Sequence, residues 1–241
     1  MPEIEIRPKG IRATPSATII RPQKTIDLAG AVALELLLQV KDKDGRITEE
    51  RVEQGHSFLA NFIKLLYCSM MAHPAPMCDG ATLQLVDTSG IARTGSSYYA
   101  LASSGGLYTG FMQANAGVGS TSWGVLVGTD DGTILPKDIL NYALGAKIAH
   151  GTGAGQLSYG DSSIVPITHD GATYSYAGIT RSFSNGSGSP INVKEIGLAT
   201  TCYWDTSTLR YFLLARDILG VAVTIPTGQA LTASIRLKCY C

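Results

Sequence analysis

The chain has 241 residues, 19 Lys+Arg against 19 Asp+Glu, a 45% hydrophobic fraction and 27 glycines. Only 16% of it is charged, against roughly 25% in an average soluble protein. Zero net charge with no basic excess excludes the electrostatic footprint of a nucleic-acid binder and argues against adhesion to anionic membranes.

Charge is unevenly distributed. Residues 1–55 carry 9 of the 19 basic and 9 of the 19 acidic residues, so the remaining 186 residues carry 20 charges. This step predicts three parts: an arm over 1–30, a charged β-hairpin over 31–55 and a body over 56–241. In the arm, Pro2, Pro8, Pro15 and Pro22 separate short β-prone pieces. Proline cannot donate to a ladder, so the arm is expected to be extended and to lie along its own domain or clasp a neighbour. Ile4, Ile6, Ile11, Ile19 and Ile20 are its candidate assembly contacts, since a solvated tail gains nothing from isoleucine. Met1 to Gly10 has no apolar run of the secretory kind, which predicts cytosolic synthesis and mostly free thiols for the five cysteines.

Ala31 to Lys41 is apolar, Asp42-Lys43-Asp44-Gly45 is turn chemistry, and Arg46 to Glu53 alternates charges with Ile47 and Val52. That pattern predicts a hairpin with Leu34, Leu36 and Leu38 on one face. Phe58, Leu59, Phe62, Ile63, Leu65, Leu66 and Met70 then recur at helical spacing. They predict one helix over about 57–72, buried on most sides, capped by Ser57 and stopped at His73-Pro74. From Ala81 onward short apolar segments alternate with Gly, Asn and Pro turns. They include 123–127, 156–159, 164–169, 174–183, 191–198, 211–216, 221–225 and 231–240. The expected fold is mainly β: an antiparallel β-sandwich or jelly-roll-like body with one buried helix and an extended N-terminal arm. The Gly/Ser-rich stretch from Gly95 to Ser122 reads as a long loop.

Chemistry is sparse. Gly151-Thr152-Gly153-Ala154-Gly155 lacks the Lys-Ser/Thr of a phosphate-binding loop and reads as a flexible connection. His56, His73, His150 and His169 form no metal-ligating or hydrolytic spacing, and no Gly-x-Ser-x-Gly elbow occurs. Cys239-Tyr240-Cys241 reads as a terminal strand before it reads as a metal ligand set. No catalytic residue, cofactor or metal is expected; an enzyme would have to be a cryptic hydrolase around His150, His169 and the few acids. Arg181, Glu195 and Arg216 stand out as charges inside apolar strands, where a charge faces an edge or is paired. Glu195 is expected to meet Arg181 or Arg216 as a buried structural ion pair.

An ordered series of motifs carries a resemblance. It runs through Trp123-Gly124-Val125-Leu126-Val127-Gly128-Thr129, Asn141-Tyr142-Ala143-Leu144 and His150 to Gly160. It continues with Thr180-Arg181-Ser182-Phe183-Ser184-Asn185, Val193 to Leu198, Leu214-Ala215-Arg216-Asp217 and Pro226 to Thr232. This order, with His56 to Phe62 before it, resembles uncharacterised structural proteins of tailed bacteriophages over residues 55–240. The resemblance implies a non-enzymatic virion component, made in the host cytoplasm, whose partners are copies of itself and other virion proteins. It leaves open a head decoration role and a tail or baseplate role. A carbohydrate-binding host-attachment module is the alternative, with Tyr98, Tyr99, Tyr108, Tyr174, Tyr176, Tyr203 and Trp204 as stacking platforms for a host glycan.

Overall fold

A computed structural model of the chain describes residues 18–20, 32–55, 58–70, 85–93, 113–171, 173–203 and 209–240. The fold is mainly β, with antiparallel sheets and one short helix. Alternating leucines make β2 (Val32–Lys41), and the Asp42–Gly45 turn returns the chain as β3 (Ile47–Gly55). The Asp42 carboxylate fixes that turn by accepting the backbone N–H groups of Asp44 and Arg46, each at 2.9 Å.

The hairpin is part of a larger sheet that also holds strands from residues 158–240. β2 pairs along its length with β11 (Ala230–Tyr240), which pairs in turn with β8 (Tyr174–Ser184). With β7 (Ser158–Asp170) and β1 (Thr18–Ile20) the order is β1-β3-β2-β11-β8-β7. β1 runs parallel to β3, unlike the other strand pairs of this sheet, and occupies the sheet edge where flanking prolines cost least. Ile19 and Ile20 lie in β1; Ile4, Ile6 and Ile11 lie outside the described residues.

The second sheet is β10-β9-β6, formed by β10 (Leu209–Ile225), β9 (Ile191–Tyr203) and β6 (Gly124–Gly128). One core joins the sheets: Leu36, Leu38, Phe183, Ala233 and Ile235 from the first meet Val127, Val193, Leu213, Val223 and Ile225 from the second. Each fully buried large side chain there contributes about 1.5–3 kcal/mol.

Two pairs of expected segments are single strands. Residues 211–216 and 221–225 are both in β10, whose register shifts between Ile218 and Val223. The Arg51 guanidinium donates to the carbonyls of Val221 and Ala222 in that bulge, at 2.7 and 3.1 Å, so no turn is needed to satisfy them. Likewise 164–169 continues the strand begun at Ser158, past two irregularities in β7.

Helix α1 spans Ala60–Met70, shorter than expected; Ser57 and His73-Pro74 lie outside the described residues. It packs on the outer face of β10, where Leu65, Phe212 and Leu214 form a second cluster with Leu85 of the short strand β4 (Leu85–Val86). β4 pairs with β5 (Ala92–Arg93). Of its described side chains Asn61 and Leu65 are buried against β10 and β4, whereas Ile63 is 56% and Leu66 37% exposed, so the apolar stripe is not covered all round.

Candidate functional site

The densest polar cluster lies on the outer face of β9 and β10. Arg216 stands opposite Gly197 in the ladder and Glu195 opposite Ile218, so both side chains emerge on one side. Arg216 Nε donates to Glu195 Oε1 at 2.5 Å, with the two side chains 1% and 0% exposed. Its Nη1 donates to Asn141 Oδ1 at 2.9 Å and to the Pro136 carbonyl at 3.4 Å. Its Nη2 donates to Asp130 Oδ2 at 2.9 Å and to the Leu135 carbonyl at 2.8 Å. All five guanidinium N–H groups are used.

Both acids are as fully engaged. Glu195 accepts the backbone N–H of Gly145 at 2.8 Å and of Ala146 at 3.3 Å. Asp130 accepts those of Gly132, Ile134 and Leu135 at 2.9–3.1 Å. Burial pushes the Asp130 carboxyl up, but those three N–H groups and the Arg216 charge outweigh it and hold the acid below its usual value. Two acids and one arginine thus clamp the segment from Thr129 to Ala149 onto the sheet. Gly128 and Gly145 permit the closeness, since a Cβ at either would overlap the Glu195 or Asp130 carboxylate. Such saturated groups orient backbone; they offer no free acid, base or nucleophile.

Of the two arginines set against Glu195, Arg216 is the partner. Arg181 lies elsewhere, on β8, with its charge held by main-chain carbonyls. It donates to Gly160, Trp123, Val125 and Gly117 at 2.8–3.3 Å. Its guanidinium carbon sits 4.9 Å from the centroid of the Tyr159 ring. Burial pulls the Arg181 pKa down, opposed by Tyr159 and Asp161. Tyr159, itself buried, has its phenol pushed up to about 12 by desolvation and donates to the Ile148 carbonyl at 2.7 Å. Sequence reasoning missed Asp130 and Asn141 as partners. In sequence Asp130-Asp131-Gly132 shows only turn chemistry, and accepting the Gly132 N–H is indeed one of the roles of Asp130.

The histidines of the hydrolase reading do not converge. His150 Nδ1 accepts the Tyr159 N–H at 3.0 Å, and His169 bonds Ser175 Oγ at 2.7 Å. Tyr159 and His169 are ten residues apart on β7, on the order of 30 Å along an extended strand. The glycine stretch after His150 is a closed turn, with Gln156 Oε1 accepting the Gly153 N–H and the Gln156 N–H returned to the Gly153 carbonyl. Among the described residues no group of three or more His, Cys, Asp or Glu is placed to hold a metal, and no helix is long and apolar enough to cross a membrane. Cys239 is exposed; Cys241 lies outside the described residues.

Two of the tyrosines proposed as glycan platforms are described with their side chains. Tyr174 and Tyr176 lie on the outer face of the six-stranded sheet with Tyr240. Lys238 Nζ sits 4.3 Å from the Tyr174 centroid and Arg236 Cζ 5.1 Å from that of Tyr176, while Glu35 accepts from both cations. Tyr98, Tyr99, Tyr108 and Trp204 lie outside the described residues, as does the side chain of Tyr203. An apolar cavity of about 180 Å³ opens between the sheets, lined by Leu34, Phe58, Phe62, Ala177, Leu214 and Leu237 among others. No protein-family model, curated protein or solved structure matches the chain.

Proposed function

We propose that the chain is a non-enzymatic structural component of a tailed-bacteriophage virion, associating with copies of itself and docking on the particle exterior as a head decoration or a tail or baseplate component. One observation carries this reading. Four of the motifs that bear the resemblance, at 123–129, 141–144, 193–198 and 214–217, meet at the Arg216 network, and that network spends its charges on holding backbone. Buried ions cost several kcal/mol each to desolvate, so a cluster whose donors and acceptors all go to positioning a segment suits a scaffold. The edge position of β1 also fits an arm, since a strand added to a sheet edge makes the same main-chain bonds within a subunit or between subunits.

The test is the solution mass of the full chain by light scattering, with electron microscopy of the same sample. A closed ring, trimer or polymer is expected, and deletion of residues 1–30 is expected to abolish it while leaving the body folded. A full chain that stays monomeric at every concentration overturns self-association.

The second reading, a host-attachment module binding glycan, is favoured by the row of Tyr174, Tyr176 and Tyr240. Each of the first two rings already has a cation within about 5 Å, which competes with sugar stacking. Retention of the chain on a glycan array, lost on Tyr174→Ala, would move weight to it.

A further inference from the structure

The segment clamped by Arg216 shows solvent an apolar surface. Ile134 is 67%, Ile139 62% and Leu140 65% exposed, with Tyr142 also exposed. Loops normally turn polar residues outward, and a mobile loop would fold such side chains inward. This one is held out. Asp130 takes the N–H groups of Ile134 and Leu135, Arg216 takes the carbonyls of Leu135 and Pro136, and Asn141 is tied between Arg216 and the Asp138 N–H.

The surface continues onto its neighbours. The Ala60 N–H at the start of α1 donates to the Ile139 carbonyl at 2.8 Å, one turn before the exposed Ile63. The Tyr142 ring lies against Gly90, beside the exposed Ile91. The clamped segment, the helix and the β4–β5 turn therefore form one outer layer over the second sheet, with large apolar side chains on its free side.

We infer that this layer is an interface with a second copy of the chain. The inference rests on the self-association proposed above and adds to the arm a second contact: a two-fold joint at this face and a head-to-tail contact through the arm together extend beyond a dimer. Seven large apolar side chains more than a third exposed, Leu66 of the helix included, present on the order of several hundred Å², comparable with one partner's share of a standard interface. Lys137 and Asp138, both exposed, sit in sequence between Ile134 and Ile139. A two-fold contact uses one patch twice, so adjacent charges of opposite sign are self-complementary: Lys137 of one copy meets Asp138 of the other. A chain with no net charge also sets no long-range repulsion against its own copies.

The experiment is sedimentation velocity on the full chain, on the double variant Ile139→Asp/Leu140→Asp, and on a charge series of Lys137→Glu alone and with Asp138→Lys. Wild type is expected to associate. The double variant is expected to do so at least tenfold more weakly with an unchanged circular dichroism spectrum. Lys137→Glu is expected to weaken association, and the swap Lys137→Glu/Asp138→Lys to restore it. If wild type associates and the double variant matches it, this face is overturned and self-association stands. If wild type is monomeric throughout, both fall together, and an occupant of another kind takes the face. Should the double variant unfold, the surface charge series decides alone: indifference to Lys137→Glu overturns the contact.

Discussion

Gly145 passes so close to Asp130 that a Cβ on residue 145 would overlap the carboxylate Oδ2. The carboxylate cannot retreat, because its oxygens hold three backbone N–H groups and Arg216. Gly145→Ala is therefore expected to destabilise the protein by about 2–4 kcal/mol, through loss of the network and not through helix or strand propensity. Gly220→Ala is the control, since nothing lies within 4 Å of that position, and it is expected to stay within about 0.5 kcal/mol of wild type. Equal urea midpoints for the two variants would remove the network from any account of stability.

Removing either member of the Arg216–Glu195 pair strips a partner from a buried charge: Glu195→Ala leaves Arg216 with Asp130 alone, and Arg216→Ala leaves two buried carboxylates without their cation. Glu195→Ala and Arg216→Ala are each expected to cost about 3–5 kcal/mol, with a double variant much less costly than the sum. Arg216→Ala also frees the carbonyls of Leu135 and Pro136, so hydrogen exchange is expected to rise over 130–146 first. Additive losses in the double-mutant cycle would show that the two residues act separately.

Acid tests the carboxylates. Asp130 and Asp87 are both held below the ordinary value against the upward pull of burial, Asp87 by Arg93 and by the N–H groups of Ile91 and Ser89. A carboxyl whose folded pKa is depressed stabilises the fold above its unfolded value, about 3.9, and that stability is lost as pH falls through the folded value. The exposed Asp131, brought to about 2 by Thr133 and Lys194, titrates across the same interval. The melting temperature is thus expected to fall steeply below about pH 4. Asp130→Asn should melt lower at neutral pH yet show a shallower acid limb. Parallel acid limbs in scanning calorimetry would contradict the role given to Asp130.

Local pattern accounts for much of this fold. The Asp42–Gly45 turn and the Leu34, Leu36, Leu38 alternation mark the hairpin, and charges inside apolar strands single out Glu195 and Arg216 before any contact is known. The central place of that hairpin was hidden because it is made by distant chain: Leu38 pairs with Ala233. No residue in 31–55 records that partner. Arg181 and Arg216 give the same local signal, yet Arg181 is answered by carbonyls, which every residue carries and no sequence distinguishes. Residues 211–216 and 221–225 read as two segments because a bulge and a turn use the same residues, and Arg51, which satisfies the bulge at Val221, is 170 residues away. The helix was expected to be buried because apolar spacing reports a capacity for burial and not a supply of neighbours.

Alkaline pH probes the buried Arg181 and Tyr159. The phenol is neutral when folded, with its pKa pushed up to about 12, while an unfolded tyrosine ionises near 10. A raised pKa contributes stability that is complete below the unfolded value and is lost as pH rises through the folded one, so this contribution fades between about pH 10 and 12. Tyr159→Phe leaves the Ile148 carbonyl without its donor and is expected to cost about 1–3 kcal/mol while removing that alkaline dependence. Arg181→Lys keeps the charge but not the planar fork that reaches Gly117, Gly160, Trp123 and Val125 together. It is expected to destabilise by about 2–4 kcal/mol and to shift the tryptophan emission, since the Trp123 carbonyl is one of its anchors. An Arg181→Lys protein with wild-type stability and emission would mean that charge alone holds this corner, and the clamp by four carbonyls would have to be given up.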